Sequence, residues 1–102
     1  MLPHEYIEKG WCQKATARTK SGDESLSPFN DAVKWCVIGS LAVTALPLLK
    51  VTAIRQALLE LLSLGNSVEL VAWNDTPGRT QVEVVQALRQ AERAVGLLKE
   101  GE

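Results

Sequence analysis

The last third of the chain contains the run Thr76-Pro77-Gly78-Arg79-Thr80-Gln81-Val82-Glu83, which predicts a turn and then the start of a helix. Pro and Gly occupy the central positions of a type II turn over residues 76–79, because proline fixes φ and glycine accepts a positive φ. Thr80 and Glu83 match a capping box, in which each side chain bonds to the other residue's backbone amide. The run therefore predicts an abrupt entry into a helix after Thr80.

Apolar residues recur every three or four positions beyond this turn, as expected for an amphipathic helix of about five turns. The apolar series consists of Val82, Val85, Leu88, Ala91, Val95 and Leu98. The polar residues on the opposite face are Glu83, Gln86, Gln90 and Arg93. This spacing predicts one buried stripe along the terminal helix.

Two further helices are predicted upstream. Helical spacing of apolar residues covers about Val51 to Leu64, and Gly65-Asn66 supplies a C-terminal stop. Another helix is predicted to begin with Ser27 as N-cap and Pro28 in its first position, and to end before Pro47.

That third helix would carry Trp35 and Cys36 in its interior. Its Gly39 costs about 1 kcal/mol relative to alanine in a helix, so we expect another helix to approach closely there.

The N-terminal part is less regular. A short helix is predicted over residues 3–9, a weak strand over 11–18 and a mobile surface loop over 19–27. Residues 68–73 fit either a strand or a helical turn. We therefore predict a mainly α fold, a compact bundle of about four helices with a short β or irregular N-terminal segment, forming a single domain over residues 1–102.

Composition narrows the classes of function. The chain has 11 basic and 12 acidic side chains, a net charge of −1, so no strong field attracts it to nucleic acid or to an anionic membrane. Hydrophobic residues make up 46% of the sequence, a globular value that argues against a disordered chain. Arg89 and Arg93 alone would make a thin surface for DNA recognition, so nucleic acid is not an expected partner.

No membrane segment is expected. Residues 1–6 lack the basic and apolar regions of a signal peptide, and the apolar stretch 36–49 is shorter than the ~20 residues of a membrane span and contains Pro47. We therefore expect a cytoplasmic protein whose two cysteines are reduced. A disulfide between Cys12 and Cys36 would need the two Trp-Cys motifs to pack together.

Cys12 is the one candidate for a catalytic residue. A cysteine hydrolase needs a base to activate its thiol, and the only histidine, His4, lies near a terminus that we expect to fray. Cys36 would lie too deep in its predicted helix to be activated by the helix dipole. Burial of a thiol as a small apolar group is the commoner case, so no catalytic residue is predicted beyond this candidate.

The most chemically suggestive cluster is Trp73, Asn74, Asp75 and Arg79. Asp75 and Arg79 could pair with each other, or bind a ligand as hydrogen-bond acceptor and anion clamp. Alternatively, Asn74 and Asp75 satisfy local amides while Arg79 packs on Trp73, and we favour this structural role. The tryptophans are likewise expected to be core anchors.

Metal and cofactor sites are not predicted, because the two cysteines and the single histidine form no local Cys-x-x-Cys or His-x-x-x-His pair.

Three segments resemble a family of small bacterial and phage domains of unknown function. They are Gly10-Trp11-Cys12-Gln13, the Ala32-Val33-Lys34-Trp35-Cys36 segment followed by Gly39, and the run from Trp73 to Thr80. The last of these is the most specific. The resemblance implies a shared domain and no particular activity.

Together these features favour a non-catalytic interaction or regulatory module whose partner is another protein or a second copy of the chain. This interpretation is based on the number of apolar helix faces, which is larger than the core of one chain obviously needs. The face along Val51 to Leu64, or that of the terminal helix, could form a homodimer. The alternative is a binder of small molecules or a cysteine-dependent enzyme that uses Cys12 with Asn74, Asp75 and Arg79. Those four groups would have to converge on one pocket.

Overall fold

The computed structural model describes residues 1–25 and 30–99 of the chain. In these ranges the elements are α1 (Pro3–Lys9), β1 (Ala17–Thr19), β2 (Ala32–Trp35), α2 (Val37–Val43), α3 (Leu48–Leu61), α4 (Ser67–Asn74) and α5 (Gln81–Ala94). The predicted mainly α fold is confirmed, and the small β component lies in the N-terminal half. The radius of gyration of 12.6 Å is close to the ~13 Å expected of a compact chain of this length.

The entry into α5 agrees with its sequence signals. Gly78 has a φ of 86°, and the Arg79 amide donates to the Thr76 carbonyl at 3.0 Å, which closes the predicted turn. The Glu83 amide donates to the Thr80 hydroxyl at 3.2 Å, and the Thr80 amide donates to the Glu83 carboxylate at 2.9 Å. The capping box is therefore confirmed.

The buried face of α5 is rotated from the predicted stripe. Val82 is 62% exposed, whereas Val84 and the charged Glu92 are completely buried. Leu88 and Ala91 lie in the core as predicted. The prediction was wrong about Val82 because α1 and α3 pack against the neighbouring side of the helix.

α1 is tied to α5 by a buried polar pair. The His4 amide donates to a Glu92 carboxylate oxygen at 3.0 Å, and the His4 ring nitrogen Nδ1 contacts the other oxygen. Burial raises the pKa of the Glu92 carboxyl, although the amide and ring of His4 oppose this shift. His4, which lies beside the terminus that we expect to fray, is itself buried in this contact.

The helix predicted to begin at Ser27 is wrong over residues 32–35, whereas residues 37–43 are helical. Ser27 and Pro28 lie outside the described residues, and residues 32–35 form strand β2. β2 pairs antiparallel with β1, with Ala17 opposite Trp35 and an irregularity between Arg18 and Thr19. A strand is favoured because partners from the N-terminal segment are available to its backbone, and because valine and tryptophan suit a half-buried sheet.

Helix α2 therefore begins later than predicted. Cys36 is its N-cap, and the Cys36 sulfur accepts a hydrogen bond from the Gly39 amide at 3.4 Å. The close approach expected at Gly39 is present, but the neighbour is backbone and not a helix. A Cβ on Gly39 would lie 2.2 Å from the Thr16 carbonyl oxygen.

The remaining helices complete the core. α3 begins three residues before the predicted Val51, and Asn66 caps the next helix by accepting from the Glu69 amide. The ambiguous stretch 68–73 is helical and belongs to α4. The largest apolar side chains that are fully buried are Ile7, Val37, Ile54, Leu58, Leu70, Val84 and Leu88. In the described parts of the chain, no helix has the length and apolar character needed to cross a membrane.

Candidate functional site

Three segments contain tryptophan, residues 10–13, 32–36 and 73–80, and we call them the tryptophan motifs. They meet in one junction at Asn74, the last residue of α4. Its side chain is completely buried, and its oxygen Oδ1 accepts from the Trp11 indole at 2.9 Å and from the Val37 amide at 3.1 Å. Its nitrogen Nδ2 donates to the Cys12 carbonyl at 3.1 Å and to the Asp75 carboxylate at 3.0 Å. One carboxamide thus satisfies groups from both Trp-Cys motifs.

Asn74 takes the place of backbone pairing between these motifs. The Trp35 amide donates to the Gly10 carbonyl and the Cys12 amide donates to the Trp35 carbonyl, each at 3.1 Å, so Trp11 and Trp35 form a parallel bridge. Continued parallel pairing would join the Val37 amide to the Cys12 carbonyl. The Asn74 amide group lies between these two groups instead and bonds to both.

Gln13 and Lys14 extend the contact between the first Trp-Cys motif and the end of α4. The Gln13 side-chain amide donates to the carbonyls of Asn74 and Thr76 at 3.0 and 3.1 Å. The Lys14 amide donates to the Asp75 carboxylate at 2.8 Å, and Lys14 has a positive φ of 65°. The segment after Gly10 is therefore bound to the end of α4 by side chains that form hydrogen bonds with backbone amides and carbonyls.

Arg79 belongs to a different contact. Its guanidinium carbon lies 4.3 Å from the centre of the Trp73 ring, and its Nε donates to the Trp73 carbonyl at 3.0 Å. Its Nη1 pairs with the Glu83 carboxylate at 3.0 Å. Arg79 thus joins the turn to the first turn of α5 while stacked on Trp73.

Neither thiol is activated. Burial, together with the nearby Cys36, raises the pKa of the Cys12 thiol to about 11. Burial also raises the pKa of the Cys36 thiol, although the amides of Gly39 and Ile38 partly oppose the shift. Cys36 lies at the N-terminus of α2, which corrects the expectation that it lies deep in a helix. Both thiols are protonated at neutral pH, so neither is prepared as a nucleophile.

A cleft of about 280 Å³ lies beside this junction. Its lining combines polar and apolar groups, namely Lys14, Ala15, Thr16, Glu24, Cys36, Ile38, Val71 and Asp75. Of the predicted site residues, only Asp75 is among these lining residues. Cys12 and Asn74 are neighbours of Asp75 behind the cleft, whereas Arg79 contacts Trp73 and Glu83.

Sequence reasoning missed Gln13 and Lys14 at the junction and Glu92 in the core. The weak signal for the first two was their position directly after a Trp-Cys pair. The buried Glu92 could have been suspected from its placement next to Ala91 on the inner face of α5. Among the described residues, no three His, Cys, Asp or Glu side chains lie close enough to hold a metal ion.

A family model described as "Family of unknown function (DUF6197)" matches residues 4–94, which include all three tryptophan motifs. No curated protein and no solved structure matches the chain.

Proposed function

We propose that this chain, which belongs to the family of unknown function DUF6197, is a non-catalytic module that binds another protein. The polar and thiol groups most capable of chemistry support this proposal, because their hydrogen bonds already hold the fold together. Asn74 makes hydrogen bonds with four partners, and the pKa of the Cys12 thiol is raised to about 11. These groups stabilise the junction of the motifs.

The main support for binding to a protein is the apolar outer face of α4. We define the α4 face as Val68, Val71 and Ala72, which lie three and four residues apart on one side of the helix. All three are exposed, and Val68 is 78% exposed. Exposed apolar side chains grouped in this way are typical of a surface that a partner covers.

The α4 face continues into the cleft. Val71 lines the cleft together with Ile38, so apolar surface extends from α4 toward α2. Lys14, Glu24 and Asp75 line the same cleft and provide charges of both signs at its border. An apolar centre with a polar rim is the usual composition of a protein interface.

Two other exposed apolar surfaces could form the predicted homodimer. Leu48 and Leu49, in the first turn of α3, are 79% and 85% exposed, just before the predicted dimer face at Val51 to Leu64. Val82 and Val85 border a shallow groove on the terminal helix. A second copy of the chain is therefore one protein partner that the proposal includes.

The proposal is tested by placing a photo-crosslinking amino acid at position 68 of the full chain in its native cells. We expect a protein adduct of defined mass at position 68, and its loss when Val71→Glu is added. A probe at Gln90, an exposed polar position on α5, is the matched control. Equal labelling from both positions, or no adduct at position 68, would exclude the α4 face as a binding surface.

Sedimentation then separates the two kinds of partner. A concentration-dependent dimer that Val68→Glu weakens at least about tenfold, or 1.4 kcal/mol, would identify the α4 face as the dimer interface. Loss of the dimer on Leu48→Glu alone would identify the α3 face. A monomer at all concentrations would exclude the homodimer and leave a different protein as the partner.

The alternative of a small-ligand binder or cysteine-dependent enzyme has less support. Cys12, Asn74, Asp75 and Arg79 do not line one described cleft, and the Cys12 thiol donates its hydrogen bond to the Ala15 carbonyl and not to a base. A cytoplasmic location and a bacterial or phage origin remain predictions from the sequence.

A further inference from the structure

We infer that Cys12 and Cys36 form a reversible intramolecular disulfide when the folded protein meets a small disulfide oxidant. The starting point is the register between the two Trp-Cys motifs. Trp11 and Trp35 are partners in a parallel bridge, so Cys12 and Cys36 are the next residues in register. Parallel strands lie about 4.8 Å apart, and side chains in register lie on the same face.

This spacing suits a disulfide. Bridged cysteines have Cα atoms roughly 4.4–6.8 Å apart. The last direct backbone bond between the two chains runs from the Cys12 amide to the Trp35 carbonyl at 3.1 Å, and the Asn74 amide group enters at the next position, between the Cys12 carbonyl and the Val37 amide. The effect of Cys36 on the pKa of the Cys12 thiol is consistent with their being neighbours.

Both sulfur atoms are held by weak contacts that rotation about χ1 would release. The Cys12 thiol donates to the Ala15 carbonyl at 3.5 Å, and the Cys36 sulfur accepts from the Gly39 amide at 3.4 Å. Hydrogen bonds to sulfur are weak, so their loss opposes the new bond little. Both thiols are free in the structure, which therefore represents the reduced form.

We assign the first attack to Cys36, which lines the cleft. Cys12 and Cys36 are similarly buried, at 6% and 4% exposed. The deprotonated Cys36 attacks a disulfide RSSR, which forms a mixed disulfide and releases one thiolate RS⁻. The deprotonated Cys12 then attacks the Cys36 sulfur, which forms the Cys12–Cys36 bond and releases the second RS⁻. Overall, two protein thiols are oxidised and RSSR is reduced to two RSH.

The raised pKa values set the expected pH dependence of this reaction. The thiolate is the attacking species, and burial makes it scarce at neutral pH for both residues. The rate should therefore rise about tenfold for each pH unit between pH 7 and 9. A thiol with an ordinary pKa would begin to level off near the top of this range.

The disulfide would link the segment after Gly10 covalently to the start of α2. It would also turn the Cys36 sulfur away from the Gly39 amide and alter the lining of the cleft beside the α4 face. The inference concerns the cysteine pair alone, and it stands whether or not the α4 face binds a partner.

The test is equilibration of the full chain with mixtures of oxidised and reduced glutathione, followed by acid quenching and intact-mass measurement. We expect a monomeric product lighter by two hydrogen atoms and a higher melting temperature. The equilibrium should favour the bridge at least about tenfold more in the folded chain than in concentrated guanidinium chloride, because folding holds the thiols in register.

Matched variants test the order of attack. Cys12→Ser should retain a mixed disulfide on Cys36, whereas Cys36→Ser should react much more slowly. The inference is overturned if the folded chain gains less than that tenfold preference, forms only disulfides between molecules, or carries glutathione on both cysteines. Lack of reaction at pH 9 in a strongly oxidising mixture would also overturn it.

Discussion

At the scale of single residues, Asn74 has the largest structural role in the junction. An asparagine side chain carries one acceptor and one donor in the arrangement of a peptide group, so it can replace a backbone pair. In this chain it occupies the position where parallel pairing would otherwise continue, between the Cys12 carbonyl and the Val37 amide. An aspartate or leucine at this position could not bond to both.

Asn74→Ala should lower the free energy of unfolding by about 3 kcal/mol, because buried donors and acceptors lose their partner. Urea denaturation followed by tryptophan fluorescence measures the change. The matched control is Asn66→Ala, which removes an exposed helix cap and should cost about 1 kcal/mol. Equal losses in the two variants would show that the Asn74 contacts contribute no more than an ordinary cap.

At the scale of elements, the contact between α1 and α5 depends on His4 and Glu92. Removal of one member of a buried polar pair leaves the other without a partner in a medium of low dielectric constant. Glu92 is completely buried, so solvent cannot replace the His4 ring, and in His4→Ala only the backbone amide of residue 4 would still bond to this carboxylate. The free energy of unfolding should therefore fall more when His4 alone is substituted than when His4 and Glu92 are substituted together.

His4→Ala should destabilise the protein by about 3 kcal/mol at pH 7, whereas His4→Ala with Glu92→Leu should cost about 1 kcal/mol. The double variant is less damaging because no unpaired carboxylate remains buried. Glu8→Ala, which removes the exposed carboxylate 3.7 Å from the His4 ring, is the control and should change stability little. Additive losses in the double variant would contradict this account.

The capping box at the start of α5 should make a contribution to stability that changes with pH. Hydrogen bonds from the Thr80 amide and hydroxyl, with Arg79 nearby, lower the pKa of the Glu83 carboxyl from its ordinary value of 4.5. A lowered acid pKa gives stability that is present above pH 4.5 and is lost as the pH falls through the folded-state value.

Glu83→Gln should therefore lower stability at neutral pH and flatten the loss of stability below pH 4.5. Denaturation midpoints measured from pH 3 to 7 report this change. The same substitution in a Thr80→Ala background should have a smaller effect, because the hydroxyl donor is already absent. An acid limb of unchanged slope in Glu83→Gln would contradict the assignment.

At the scale of the whole molecule, the N-terminal segment packs tightly onto two backbones. A Cβ on Gly10 would lie 2.2 Å from the Val33 carbonyl oxygen, and one on Gly39 would lie 2.2 Å from the Thr16 carbonyl oxygen. Backbone atoms cannot move aside as a flexible side chain can. These contacts fix how the β-containing part meets the helices.

Gly39→Ala should cost about 3 kcal/mol, because the added methyl group forces the Thr16 backbone away from α2. Thermal and urea denaturation measure the loss. Gly65→Ala is the matched control, since its Cβ would meet only the flexible Glu69 carboxylate at 3.2 Å, and a change within about 1 kcal/mol is expected. A similar cost at both glycines would mean that the Thr16 contact is not restrictive.

Sequence reasoning was most accurate where local chemistry decides the structure. The type II turn before Arg79 and the capping box at Thr80 depend on residues within one short segment, and both are present. The helix over residues 3–9 is likewise present. By contrast, residues 32–35 became a strand because their backbone pairs with residues far earlier in the chain. No local pattern contains that information.

Local sequence patterns predict the mainly α class, the turn and cap that begin α5, and the residues whose side chains are reactive or form strong hydrogen bonds. These depend on backbone preferences and side chains a few positions apart, which are fully present in a linear sequence. Three features follow from tertiary packing alone: Asn74 joins the two Trp-Cys motifs, Cys12 and Cys36 lie in register, and α4 exposes Val68. Those features depend on which distant segments meet, and that choice is made by the packing of the whole chain.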